Sequence, residues 1–151
     1  MTRLKHVTAT KSRTRKFGAI LAAVASVAGM VFAAAPATAA DYPTSTFTLP
    51  YTVSYYNGTV TWYNRSVGIT GAFKASNCRR IYVRSFIGST TLDFQSTSLW
   101  CNRSGSAPFT LDANAVGGAD NIWIYMTDEN DVNLVTRTCY RTSDYCIAGL
   151  H

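Results

Sequence analysis

An all-β fold is what this sequence predicts: two antiparallel sheets packed as an immunoglobulin-like sandwich of about seven or eight strands. Three observations carry that expectation. After residue 40 the chain runs in short stretches rich in Thr, Val, Ile, Tyr, Phe and Trp, the residues that suit a pleated, half-buried surface. Gly, Asn, Ser or Asp breaks these stretches about every eight to twelve residues, the spacing of strands joined by turns. No stretch after residue 41 sustains a helical period between capping residues. A Greek-key barrel is the alternative packing of the same strands.

Residues 1–40 read as a Sec-type signal peptide. Arg3, Lys5, Lys11, Arg13, Arg15 and Lys16 form a basic start, an Ala-rich apolar run follows from Phe17 to Ala35, and Pro36 ends it. Small residues then allow cleavage after Ala39 or Ala40. A membrane anchor is the competing use of such a run, which is nearly long enough to cross a bilayer. Gly18, Ser26, Gly29 and the small-residue site argue for cleavage instead. Without an Arg-Arg pair the route is not twin-arginine, and no Cys follows the site to take a lipid. Residues 41–151 are therefore expected to be one secreted extracellular domain, free of the membrane once the signal is removed.

Cleavage changes the charge. The whole chain carries +6, from 14 basic and 8 acidic residues. Six of the basic and none of the acidic residues precede residue 41, so eight of each remain and the domain is neutral. That removes the electrostatic case for nucleic acid as a partner. All four cysteines fall in the domain, an even number in an exported chain, and they read as two disulfides. Zinc, the competing use, lacks a Cys-x-x-Cys pair, and no metal or other cofactor is expected.

The strands follow in order. Leu49-Pro50 marks a bend or an edge, because Pro cannot donate to a ladder. Asn57-Gly58 suits a type I′ turn, which would pair Tyr55 with Val60 and Val53 with Trp62. Tyr51, Val53, Tyr55, Val60 and Trp62 would then face the core. Val67 to Ala75 is the next strand, with Val67, Ile69 and Phe73 inward and Gly71 marking a bulge. Arg79–Ile87 and Thr91–Trp100 form a hairpin about Gly88-Ser89-Thr90, in which Arg84 would face Gln95 and Phe86 would face Asp93. Cys78 and Cys101 lie symmetrically about that turn, within reach of a disulfide. Cys139 and Cys146 bracket a second turn-like stretch, so the expected pairs are Cys78–Cys101 and Cys139–Cys146. Phe109-Thr110-Leu111 is a short strand. The last hairpin runs from Asn121 to Thr127, turns through Asp128-Glu129-Asn130-Asp131, and returns to Cys139. Ile122-Trp123-Ile124-Tyr125-Met126 is apolar on both faces, as a central strand or one bordering an exposed aromatic patch would be.

Catalytic constellations are sparse. A nucleophilic site needs a positioned base, and the one His after residue 40 is the terminal His151. Carboxylate pairs could be drawn from Asp93, Asp112, Asp120, Asp128, Glu129, Asp131 and Asp144, though most lie in turns where Asp is expected anyway. Asp128 to Asp131 could offer oxygens to Ca²⁺, against the plainer reading of a solvated turn. No catalytic residue is assigned. Binding chemistry is better represented: Arg80, Tyr82, Arg84 and Phe86 alternate onto one strand face, opposite Ile81, Val83 and Ile87. All 9 Tyr, all 3 Trp and 5 of the 7 Phe lie after residue 40, more than one small core absorbs. Tyr56, Tyr63, Trp100, Trp123, Tyr140 and Tyr145 are the expected exposed aromatics. Trp100, Trp123, Tyr125, Arg80, Tyr82 and Arg84 are the expected binding residues, since aromatic and Arg side chains recur at binding hot spots.

The basic, Ala-rich leader and turn-rich mature part look like those of small exported proteins of actinobacteria. Gly58-Thr59-Val60-Thr61-Trp62-Tyr63-Asn64 and Asn77-Cys78-Arg79-Arg80 are similar to segments of that group. The resemblance implies export and a β-sandwich and transfers no functional residue. The expected function is therefore a non-enzymatic domain that binds an extracellular polysaccharide or a protein surface. An inhibitor of an extracellular hydrolase, presenting Asn102 to Pro108 as a loop, is the second expectation, and a small carboxylate-dependent hydrolase the third.

Overall fold

A computed structural model describes residues 41–149; the expected signal peptide and His151 lie outside the described residues. β1 (Thr44–Tyr51), β2 (Ser54–Trp62) and β3 (Ser66–Ile87) are followed by β4 (Thr90–Ser96), β5 (Trp100–Ser106) and β6 (Phe109–Asp112). β7 (Asn121–Thr127), β8 (Asn133–Tyr140) and the short β9 (Ile147–Ala148) complete the order. Every pairing of these strands is antiparallel, and no helix occurs among the described residues. The expected all-β fold with two disulfides is what the chain forms.

The two sheets share one strand. β3 is 22 residues long. Its first half has β2 and β1 on one edge and β6 and β5 on the other. Its second half lies between β4 and β7, from which β8 and β9 continue. The surface then closes on itself into a near-barrel. Thr46 N–H donates to the Asp144 carbonyl at 2.8 Å, and Cys146 N–H donates back to the Thr46 carbonyl at 2.9 Å. Beside them Trp62 Nε1 donates to Ser45 Oγ at 2.9 Å, and that hydroxyl donates to the Ser143 carbonyl at 2.6 Å. Buried polar groups are costly unless bonded, so this chain of bonds fixes the first strand to the last turn.

The core is continuous between the sheets: Trp62, Tyr56, Phe73, Leu49, Ile69, Ile81, Leu111, Ile122, Ile124 and Met126 are all almost fully buried. Val67, Ile69 and Phe73 point inward as expected. Both disulfides pair as expected, with Cα separations of 4.0 Å for Cys78–Cys101 and 4.2 Å for Cys139–Cys146. The first pairing survives a register that is not uniform. The turn is the two residues Gly88-Ser89, closed by Ile87 and Thr90, and the ladder slips between Ser85 and Phe86. Arg84 consequently faces Phe94, and Phe86 faces Thr91, not the expected Gln95 and Asp93. A second slip lies between Tyr82↔Ser96 and Arg79↔Trp100 and brings the two cysteines opposite each other.

The first hairpin is the main correction. Its turn is Thr52-Val53, closed by Tyr51 and Ser54, and Asn57-Gly58 lies within β2. The expected face is therefore split: Val60 and Trp62 are buried, Val53 is exposed, and Tyr51 and Tyr55 are half-buried. Tyr56 takes the inward place instead. Gly58 serves close approach and not a turn, since a Cβ there would lie 2.0 Å from the Thr70 carbonyl oxygen. Gly71, paired with it, causes no slip in the β2–β3 ladder; its bare Cα leaves room for the Tyr56 ring. The two stretches expected on either side of Asn77 join as one β3, which passes Asn77 with φ of 61° and a slip in its pairing to β5.

Tyr56 donates its hydroxyl to the Ala107 carbonyl at 2.6 Å, and burial pushes its pKa well above the usual tyrosine value. The native state thus keeps a proton that the unfolded chain gives up near pH 10, so stability is complete below that pH and falls as pH rises above it. The slope from this one group is about 1.4 kcal/mol per pH unit. Urea unfolding between pH 8 and 11 is expected to show the decline, and Tyr56→Phe is expected to flatten it. That variant also lowers stability at pH 8 by about 1–3 kcal/mol, because the buried carbonyl loses its donor.

Candidate functional site

The second half of β3 alternates as a strand must: Ile81, Val83 and Ser85 are buried, and Arg80, Tyr82 and Arg84 face outward with partial exposure. Pairing with β7 sets Tyr82 beside Tyr125 and Arg84 beside Trp123. Five of the six expected binding residues therefore meet on the outer face of the β4–β3–β7–β8 sheet. The sixth does not. Trp100 sits on β5, where it packs on Phe73 at 4.9 Å between ring centroids and is covered by the Arg103 guanidinium at 3.9 Å. It is buried, as is Tyr56, whereas Tyr63, Trp123, Tyr140 and Tyr145 are exposed as expected.

The rings on this face stack on one another. Tyr82 lies 5.5 Å from Phe94 and 5.1 Å from Tyr125, with interplanar angles of 9° and 15°. The Arg84 guanidinium lies 4.8 Å from the Phe94 centroid, and its buried Nε has no hydrogen-bond partner. Arg80 differs in that it donates to the Tyr82 hydroxyl at 2.9 Å and to Asp131 Oδ1 at 3.0 Å. Tyr82 donates to the same carboxylate oxygen at 2.7 Å. The bond to Tyr82, more than the Asp131 charge, holds the Arg80 guanidinium above its ordinary pKa. Burial pushes the Tyr125 hydroxyl up, with Arg84 opposing. Arg80–Asp131 is the single ion pair among the described residues, which leaves Arg84 as the uncompensated cation of this face. At the far end Phe86 meets Trp123 at 4.7 Å. Trp123, Thr138, Tyr140, Ile147 and Ala148 line a shallow cleft of about 160 Å³ there.

Sequence reasoning did not place Phe94, Asp131 or the cleft on this face. Phe94 was hidden by the one-residue slip in the β3–β4 ladder. Asp131 comes from a turn 51 residues away in sequence from Arg80, and no local pattern signals that meeting.

Five of the seven carboxylates considered for catalysis are engaged, Asp131 with Arg80 and Tyr82 and the others in turn and strand ends. Asp93 accepts from the backbone N–H groups of Phe94 and Asp112, Asp112 from that of Asn114, and Asp120 from that of Gly88. Asp128 Oδ1 accepts from Asn130 and Val132 N–H, an Asx-type closure of the β7–β8 turn. No group of three or more His, Cys, Asp or Glu able to hold a metal occurs among the described residues. The Asn102 to Pro108 segment is not a loop, because β5 runs to Ser106 paired with β3.

The fold and face define a class: a disulfide-bonded all-β domain with an arginine–aromatic sheet surface. Comparison with protein-family models, curated proteins and solved structures finds no match to the chain.

Proposed function

We propose that the chain is an exported, non-enzymatic binding domain whose outer β4–β3–β7–β8 face holds a protein surface. The observation that carries this reading is the Tyr82 ring sandwiched between Phe94 and Tyr125. Rings stacked in this way present edges and hydroxyls. A polysaccharide platform needs ring faces turned outward, against which sugar C–H groups can lie. Arg84, half-buried and without a carboxylate, asks for a negative group set among apolar side chains, a mixture protein surfaces supply. The small cleft beside Trp123 accepts one apolar side chain. With strands about 4.8 Å apart and a rise of about 3.3 Å per residue, four strands by six residues offer about 400 Å². That is half of the roughly 800 Å² a standard interface buries per partner, so the contact is expected to be transient.

Two disulfides accord with an oxidising compartment, and the basic, Ala-rich leader supports export to the extracellular side. N-terminal sequencing of protein collected from the medium is expected to begin at Ala40 or Asp41, and an intact Met1 start would refute cleavage. For the face, retention on immobilised extracellular proteins is compared with retention on insoluble glycans and cell walls. Retention by protein is expected, weakened about 30-fold or more by Arg84→Glu and by Trp123→Ala and unchanged by Arg65→Glu. Retention by glycans alone, or binding indifferent to Arg84→Glu and Trp123→Ala, would overturn it.

The inhibitor reading has one feature in its favour. Ala115 to Gly118 is a type II turn, with Gly118 N–H bonded to the Ala115 carbonyl at 2.9 Å and Gly117 at φ 86°. It presents Val116, 97% exposed. A turned tip of this kind would plug an apolar pocket and would not lie along a protease cleft as a substrate does. Val116→Asp is expected to abolish any inhibition found against a panel of extracellular hydrolases.

A further inference from the structure

Arg79 is an inward-facing cation within β3, next to the Cys78–Cys101 bridge. It shares its strand face with Ile81 and Val83 and is 8% exposed. One guanidinium nitrogen donates to the Cys78 carbonyl at 2.7 Å, the guanidinium carbon lies 5.5 Å from the Tyr51 ring centroid, and Nε is buried without a partner. No carboxylate comes within ion-pair distance, since the single ion pair among the described residues joins Arg80 and Asp131. Burying a guanidinium without a counter-charge is costly, and the sequence could have avoided the cost with an apolar residue at this inward position.

The residue is not sealed. It lines a cleft of about 430 Å³ together with Tyr51, Asn77, Asn102, Asp128 and Glu129. Asn77 and Asn102 both take positive φ, 61° and 48°, and are joined by a bond from Asn77 N–H to Asn102 Oδ1 at 2.8 Å. Their placement beside Cys78–Cys101 makes one wall rigid. Asp128 and Glu129, from the β7–β8 turn, line the same cleft with no cation paired to them. A positive charge and a pair of negative charges thus face one opening without neutralising each other directly. Clefts with a few convergent polar groups are where small ligands bind.

We propose that this cleft binds a small zwitterion of the α-amino acid kind, its carboxylate on Arg79 and its ammonium toward Asp128 and Glu129. A purely anionic ligand would meet repulsion from the two carboxylates, and a purely cationic one would leave Arg79 unpaired. The site lies apart from the outer face and does not depend on the function proposed for it.

The test uses the full chain expressed in an exporting host, with binding followed by amide chemical shifts. Glycine and alanine at millimolar concentrations are compared with acetate and with methylamine. Saturable shifts at Asn77, Cys78, Asn102 and Glu129 are expected with the amino acids, and at least about tenfold weaker effects with either singly charged compound. Arg79→Gln is expected to abolish binding. Glu129→Gln, an exposed change that leaves the fold intact, is expected to weaken the amino acids severalfold and to strengthen acetate, since one repelling carboxylate is removed. Acetate binding as well as glycine, or Glu129→Gln having no effect, would overturn the zwitterion assignment. No saturable shift with any of the four would overturn the site itself, leaving Arg79 as a plug.

Discussion

Gly58→Ala is expected to destabilise the domain by about 3 kcal/mol, the upper range for overpacking a fitted interior. Gly58 sits in the middle of three strands, opposite Phe47 on β1 and Gly71 on β3. An added methyl carbon would fall 2.0 Å from the Thr70 carbonyl oxygen, 2.7 Å from the Gly71 Cα and 2.9 Å from the Thr70 carbonyl carbon. All three are backbone atoms, so no side chain can swing away; β2 and β3 must separate, and the Tyr56 ring packed over Gly71 must move with them. Urea denaturation at pH 7 gives the measurement. A loss below about 0.5 kcal/mol, the scale of an ordinary surface substitution, would show that the two strands are not held so close.

Replacing both Cys78 and Cys101 by alanine is expected to cost about 3 kcal/mol, from the entropy the unfolded chain regains when a 23-residue closure is released. The bridge holds β3 to β5 where the ladder is least regular, beside the slip at Asn77, so the folded state also loses register control there. For Cys139–Cys146, seven residues apart, the same reasoning gives about 2 kcal/mol, to which the lost packing of the fully buried Cys139 adds. Equilibrium unfolding of the Cys78→Ala/Cys101→Ala protein checks the first value, and a loss under about 1 kcal/mol would sink the chain-entropy account.

How much of the candidate face was legible depended on the length of unbroken alternation. Arg80, Tyr82 and Arg84 were readable because period two holds along β3 from Arg79 to Ser85. Trp123 and Tyr125 were readable for the same reason on β7. Which strands lie side by side was not written in either pattern, and it is adjacency that turns two stripes into one stacked row of rings. Trp100 was misplaced because an aromatic next to a Cys carries no sign of its face; the slip between Tyr82↔Ser96 and Arg79↔Trp100 sets it inward. Asn57-Gly58 misled for a different reason. The dipeptide satisfies a turn, yet the glycine is there because three strands crowd at that point, and crowding between distant strands leaves no local trace.

By itself the sequence determined the class of fold and the two disulfides, because β propensity, turn spacing and the symmetry of cysteines about a hairpin are local properties. It also determined that the domain after residue 40 is neutral, which is a matter of counting. Only the tertiary structure decided that β3 serves both sheets, that Tyr56 and Trp100 are core, and that Arg84 and Arg79 stand without carboxylates. The physical reason is the same in each case. In a strand a one-residue slip turns every later side chain to the other face, and the slips here arise where separate strands meet, between residues that have no contact along the chain.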